Sequence, residues 1–337
     1  MSSKRAVFIV GEAGVNHNGS VDLARKLIDI GVAAGVDAVK FQSFSPERLV
    51  AVDAAKAEYQ KSCGPLDETQ YQMLQRYCLS PGDQRGLQEY CADRGVQFLS
   101  SVFGVEDVDF LVSLGLTTMK IPSGEITNLP LLRRVAALRT KTILSTGMSS
   151  LQEVGRAVEV LLSGGCRKRD IALLHCTTEY PAPYENVNLR AMASLRDHFR
   201  VDVGYSDHTL GVEVAVAATA LGARVIEKHF TIDKKLSGPD HSASLDGSEL
   251  RSMVIAIRNV ETCLGSHVKL PSAQERRNRT AIRRCIVARR AIRKGECFRD
   301  DNMAAKRPCT GLSPMQWDRV IGKKARRDFA RDEAIFL

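Results

Sequence analysis

At 337 residues the chain is long enough for one large domain or a large domain with an appendage. No run approaches the roughly 18 unbroken apolar residues of a membrane span, and residues 1–5 lead directly into a strand pattern without a secretory core; the expectation is a soluble, cytoplasmic protein with no membrane partner. Much of the +9 net charge lies in 275–294 and 323–331 without any nucleic-acid-binding signature, so it reads as solvated linker plus attraction for an anionic small substrate, not nucleic acid.

Residues 6–11 (AVFIVG) predict a strand ending at Glu12, followed by the turn-rich AGVNHNGS and a helix over 21–34. His17 in that turn reads either as part of an Asx-type turn or as a substrate contact. The next strand, 36–41, leads to Lys40 and Gln42 and then to a polar insertion, 43–65, too long for a simple connection and so expected to work at this face. Helices over 67–79 and 81–94 precede a strand at 96–101 that ends in Ser101. A short helix at 105–114 and a strand at 117–122 follow, the latter closing on Lys120, Ser123 and Glu125. A helix over 129–138, a strand over 142–145 ending in Ser145, a helix over 151–162 and a strand over 171–175 leading to Thr177 and Thr178 continue the alternation.

The stretch 201–245 organises the rest. A strand at 201–206 breaks at Ser206, Asp207 and His208; a small-residue helix spans 211–221; a second strand at 224–230 carries Glu227 and His229. A strand, a helix and a strand in so short a span make a right-handed parallel unit, which brings both strand ends to one edge. Either histidine alone reads as structural. Together, with Asp207 and Glu227 available to orient their rings, they form a candidate divalent metal site. The last helix of the series covers 246–264.

Eight such alternations argue for an α/β fold, a (β/α)8 TIM barrel over 1–265; a doubly wound sheet would want a GxGxxG loop that is absent. Every strand ends in groups able to do chemistry, which is where barrels of this type build active sites. Residues 266–282 show no strong pattern and read as a linker, and 283–337 as a small β-rich module with little core of its own. The nine cysteines, without CxxC or ligand spacing, read as free thiols.

Two lysines and several hydroxyls suit a phosphate or carboxylate held by Lys40 and Lys120. A metal on His208 and His229 would polarise a carbonyl, while Glu12 and Glu125 hold sugar hydroxyls or move protons; an ion pair with a neighbouring lysine is the plainer role for each glutamate. Lys120 could instead form an imine, as in pyruvate-dependent lyases, although Ser123 and Glu125 predict a wet, charged surrounding for it. A non-catalytic sugar-binding protein is the rival from another class.

The ordered motifs EAGVNHNG, VKFQSF, KIPSGE, LSTGM, HCTTEYPAP, GYSDHT, EKHF and GPDHSASL resemble the sialic acid synthase family, which includes N-acetylneuraminate and N,N'-diacetyllegionaminate synthases. The C-terminal KRP, CTG and VIGKKARRDFARDEAI resemble its antifreeze-like SAF domain. The resemblance implies a transferase that condenses phosphoenolpyruvate with an N-acyl amino sugar, N-acetylmannosamine or its 2,4-diacetamido-6-deoxy relative, to a nine-carbon 2-keto acid and phosphate. It implies manganese, with magnesium or cobalt as alternatives, on His208 and His229. By similarity Lys40, Lys120, Ser123, Ser145, Thr178 and Ser206 hold phosphoenolpyruvate, and Glu12, Gln42, Ser101, Phe103, Glu125, Tyr180 and Asp240 surround the sugar; Glu227, from its place at the rim, is expected to orient the metal shell. It also implies a domain-swapped, head-to-tail homodimer in which Arg307 of the SAF domain reaches the partner's acceptor. Some relatives carry Asn at Thr178, and Cys309 stands where a glycine is expected.

Overall fold

A computed structural model describes residues 6–57, 60, 65 and 67–337. The leading residues 1–5, part of the insertion at 43–65, and Cys63 lie outside the described residues. Eight parallel strands close into a barrel: β1 (Phe8–Gly14), β2 (Ala38–Ser43), β3 (Gln97–Val102), β4 (Thr118–Ile121), β5 (Lys141–Ser145), β6 (Ile171–Cys176), β7 (Asp202–Asp207) and β8 (Val225–His229). Closure comes from β1 pairing with β8 in parallel, Phe8 against Val225 through Glu12 against His229.

The first helix shows how sequence sets these elements. Ser20 caps Val21–Ala34 by accepting from the Leu23 amide, and Gly35 stops it in the left-handed region at φ 85°. Its face of Ala24, Leu27, Ile28 and Gly31 is buried against the barrel. Burying a leucine such as Leu27 contributes roughly 2 kcal/mol. At Gly31 any side chain would meet Val39 of β2 at 2.7 Å, so the helix sits on the strand only because that position is glycine.

Two apolar layers support the mouth. Between strands and helices runs the main core, with Phe41, Val102, Leu144, Tyr205 and Phe230 among its members. Inside the barrel, Val10, Ala38, Leu99, Ile143, Leu174 and Val225 fill the lumen beneath the strand ends, so the barrel is a packed plug, not a pore. Among the described residues no helix is long and apolar enough to cross a membrane.

The chain divides into two compact units, Met1–Gly265 and Ser266–Leu337. The stretch 266–282, patternless in sequence, contains the helix Ala273–Ile282, started by a reciprocal capping box between Ser272 and Glu275. None of its residues is buried, so it has no apolar face for periodicity to reveal. In the C-terminal unit β9 (Cys285–Ala288) pairs antiparallel with β10 (Met303–Lys306) over a core that includes Ile286, Phe298, Met303, Phe329 and Ile335. Arg307 directly follows β10 and precedes a cis proline, and the Cys309 amide donates to the Thr280 carbonyl at 2.8 Å.

Candidate active site

The mouth follows from strand alternation. Side chains point alternately into and out of a barrel, so Ser206 and Glu227 face inward while Asp207 and Lys228, ladder partners one step further along, face outward. A register shift between Glu12 and Gly14 breaks the β1–β2 ladder at the rim. Gly14, at φ 52°, is in the left-handed region that glycine tolerates.

Four charged groups form the floor. Lys40 Nζ lies 2.7 Å from Glu12 Oε2 and 3.6 Å from Glu227 Oε2, and Lys120 Nζ lies 3.5 Å from Glu227 Oε1. Lys40 donates to Ser101 Oγ at 2.9 Å, Lys120 to Ser145 Oγ at 2.8 Å, and Ser206 Oγ to Glu227 Oε1 at 2.9 Å. Gln42 Nε2 donates to Glu12 Oε1 at 3.3 Å. All four ionisable groups are almost wholly buried. Yet Glu12 Oε2 and Glu227 Oε2 accept no well-directed hydrogen bond; the 2.7 Å approach to Lys40 is an ion pair without hydrogen-bond geometry.

The two carboxylates are pushed apart. Burial raises Glu12 to about 7, with Lys40 opposing and Glu227 adding to the rise. Burial would raise Glu227 too, but Lys120 and Lys40 outweigh it and bring it down to about 2. Burial lowers Lys120, against the attraction of Glu227. The floor therefore holds one firm carboxylate between two ammonium groups and one carboxyl poised to exchange a proton.

His208 and His229 lie above the floor with ring centroids 5.5 Å apart. Burial lowers His208 to about 4 and His229 well below its ordinary value, so both are neutral and able to ligate near pH 7. His208 Nδ1 donates to the Thr177 carbonyl at 2.6 Å, which leaves Nε2 with its lone pair. His229 Nδ1 is buried without a hydrogen bond, and Asp240 Oδ2 lies 3.8 Å from it. Burial raises Asp240 to about 6. Among the described residues no group of three or more His, Cys, Asp or Glu forms a ready-made metal cage. The donor set thus fits an ion held by two imidazoles whose other positions are left to water or substrate.

A cavity of about 460 Å³ joins these groups to Gln42, Phe103, Ser123, Glu125, Thr178, Tyr180 and Asp240. The Tyr180 ring lies over His208 at 4.2 Å between centroids. Ser123 Oγ accepts from the Gly147 amide at 2.9 Å, and a Cβ at Gly147 would collide with Thr178 Oγ1 and Ser123 Oγ, so the glycine of LSTGM lets that loop close on the site. Of the candidate site residues only Arg307 belongs to the other unit.

Several sequence readings change. Asp207 does not orient a histidine: its carboxylate faces outward, accepting from Lys228 Nζ at 2.9 Å and from the Thr209 amide and hydroxyl at 2.9 and 2.7 Å. The Thr177 carbonyl, invisible to a reading of side chains, positions His208 instead. Glu227 lies between the lysines as well as near His229, and so anchors the floor. Lys120 is drier than Ser123 and Glu125 suggested, because Glu125 turns to accept from Asn128 at 2.7 Å. His17 is part of the turn: its Nδ1 accepts from the Gly19 amide at 3.1 Å and its ring packs on Phe41. Cys176, 3.2 Å from Ser123 Oγ, lines the cavity and was not singled out, since an apolar strand context hides a thiol that faces inward.

A closed parallel barrel whose strand ends gather ammonium groups, carboxyls and neutral imidazoles around one cavity defines a (β/α)8-barrel enzyme of the anion-binding kind. Comparison with known proteins narrows the class. The chain belongs to the NeuB family, whose model matches residues 27–269, and a SAF domain model matches residues 283–336. It is 47% identical to an N,N'-diacetyllegionaminic acid synthase of Campylobacter jejuni, covering 98% of this chain and 99% of that one. It is 46% identical to the enzyme of the same name from Legionella pneumophila, over 96% of this chain and 91% of that one. Among solved structures, an N-acetylneuraminic acid synthetase from Leptospira borgpetersenii superposes with a TM-score of 0.72 at 30% identity, covering 81% of this chain and 90% of the other.

Proposed function

We propose that the protein condenses phosphoenolpyruvate with an N-acetylated mannose-type sugar to give a nine-carbon 2-keto sugar acid and phosphate. The chain is a transferase of the sialic acid synthase type. The observation that carries the reading is the floor itself: two buried ammonium groups and hydroxyls for an anion, directly beneath two neutral imidazoles. Lys40, Lys120, Ser145 and Ser206 hold the phosphate and carboxylate of phosphoenolpyruvate with charge-assisted hydrogen bonds. His208 and His229 would hold a divalent ion, manganese first and magnesium or cobalt as alternatives; when bound, it supplies Lewis acidity to the acceptor's aldehyde.

C3 of phosphoenolpyruvate forms the new bond to the aldehyde carbon, and the aldehyde oxygen takes up a proton. Water adds at C2 of the resulting cation and loses a proton; the C2–O bond to phosphate then breaks as the new C2 hydroxyl gives its proton to the departing phosphate, leaving the 2-keto acid. Glu12, raised to about 7, is suited to hand over or collect a proton at the aldehyde oxygen, while Glu227 stays ionised and keeps both lysines in place. Gln42, Glu125, Tyr180 and Asp240 take acceptor hydroxyls and the acetamido group, a reading supported by their lining the same cavity. The imine alternative is not favoured: Lys120 is bonded to Ser145 and paired with Glu227, and the relatives are named as synthases.

The decisive assay mixes the protein with phosphoenolpyruvate, manganese and either amino sugar, and follows phosphate release. Release that stops on chelation and returns with manganese supports the reading. Release with full turnover in His208→Ala removes the metal role, and pyruvate-dependent borohydride labelling of Lys120 would restore the imine. We also infer a head-to-tail homodimer in which Arg307 serves the partner's acceptor; a monomer by sedimentation with full activity removes that part.

A further inference from the structure

We infer that acceptor choice is made by an apolar wall of Leu49, Leu74 and Phe103, which takes methyl-bearing substituents in preference to hydroxyls. This rests on the proposed condensation and names what selects its second substrate. The cavity has two chemically distinct halves. The floor, from the strand ends, is built of charged groups joined by hydroxyls. The wall comes from elsewhere: the insertion after β2, the helix Gln70–Tyr77 and the loop after β3.

Val15, Phe44, Met73 and Tyr77 form a small buried cluster of their own, with Phe103 set edge-on to Phe44 at 5.8 Å. Leu49, Leu74 and Phe103 pack on that cluster but stay only partly buried, and their remaining surface lines the cavity. Apolar surface left facing a site is matched when a ligand covers it with apolar atoms. Phosphoenolpyruvate, an anion at both ends, is satisfied by the floor and leaves the wall untouched. The wall therefore faces the acceptor.

N-acetylmannosamine offers a single acetyl methyl and hydroxyls at C4 and C6. A hydroxyl placed against Leu49, Leu74 or Phe103 would give up water without gaining a partner. A diacetamido, 6-deoxy acceptor adds a second acetyl methyl at C4 and a methyl at C6, the groups that cover leucine and phenylalanine. The polar side chains that share the wall, Gln60 and Gln70, are amides, and Gln70 Nε2 donates to Gln60 Oε1 at 3.3 Å. An acetamido group pairs with an amide in the same way.

The test measures phosphate release with each acceptor for the wild type, Leu74→Gln and Leu49→Gln. The expected wild type prefers the diacetamido sugar. Each variant should lower kcat/KM for that sugar by about ten-fold, mainly through KM, and so shrink its preference over N-acetylmannosamine, while the KM for phosphoenolpyruvate holds steady. The steady phosphoenolpyruvate KM is the internal sign that the variant is folded. A working wild type whose acceptor ratio does not move in either variant overturns the wall alone. A wild type that prefers N-acetylmannosamine also overturns it. No phosphate with either acceptor overturns the condensation itself, and the wall with it.

Discussion

Two buried charge clusters lie one residue apart on the same two strands, and they are built differently. On the inner face, Glu227 of β8 and Ser206 of β7 meet Lys40, Lys120 and Glu12, and two carboxylate oxygens there lack a proper donor. On the outer face, Asp207 and Lys228 satisfy each other and the whole Thr209 turn: both Asp207 oxygens accept, and Lys228 donates to the carboxylate and the Thr209 carbonyl. The inner cluster holds unspent hydrogen-bonding capacity for a ligand. In the outer one every side-chain polar atom has a partner, and it ties the backbone on either side of His208 to the strand that carries His229. What separates a reactive charge from a structural one here is completeness of hydrogen bonding, since burial is similar in both.

Breaking the outer cluster should have the largest effect. Lys228→Met leaves Asp207 buried and unpaired and should destabilise the barrel by about 4 kcal/mol in chemical denaturation. Adding Asp207→Leu should restore much of that, because neither charge then remains; failure to recover would show that the pair does more than satisfy itself. Lys120→Met tests the inner cluster with the opposite signature. Phosphate release should fall by about 10²- to 10³-fold, with denaturation midpoint unchanged or raised, because a desolvated ammonium is removed from a site shaped for ligand rather than stability.

A buried group beyond both clusters sharpens the contrast through pH. His17 is lowered by burial to about 4 from an ordinary 6.5, so between those values the unfolded chain binds the extra proton. Stability should therefore be lost as pH falls from about 6.5 toward 4, and His17→Gln should remove on the order of 2 kcal/mol of that loss in paired melts. Activity of the variant at pH 7.5 should be little changed if His17 belongs to the turn alone. The smallest effect is expected from Ser145→Ala, which deletes one hydroxyl beside Lys120. A rise of about ten-fold in the KM for phosphoenolpyruvate, with unaltered melting, is what a single charge-assisted hydrogen bond supplies.

Much of the architecture was readable because barrels repeat. Each apolar run of strand length, followed by a helical period, marked one βα unit, and Lys40, Lys120, His208 and His229 stood out as polar groups where such runs end. The helix Ala273–Ile282 escaped because it buries none of its residues, so no apolar face marks it in the sequence. Of the apolar wall, Phe103 was implied by the resemblance, but Leu49 and Leu74 escaped: Leu49 lies in the long insertion, and a helical period over Gln70–Tyr77 does not say that Leu74 meets the cavity.

The sequence by itself determined the eight-fold alternation, the identity of the groups at the strand ends and the family they resemble, since all three are written in local order along the chain. Only the tertiary structure decided that Asp207 turns to Lys228, that Glu227 anchors two lysines, that the Thr177 carbonyl aims His208, and that Glu12 and Glu227 part in proton affinity. Those outcomes depend on distances between strands and on how much water each group loses, and neither quantity exists until the barrel closes.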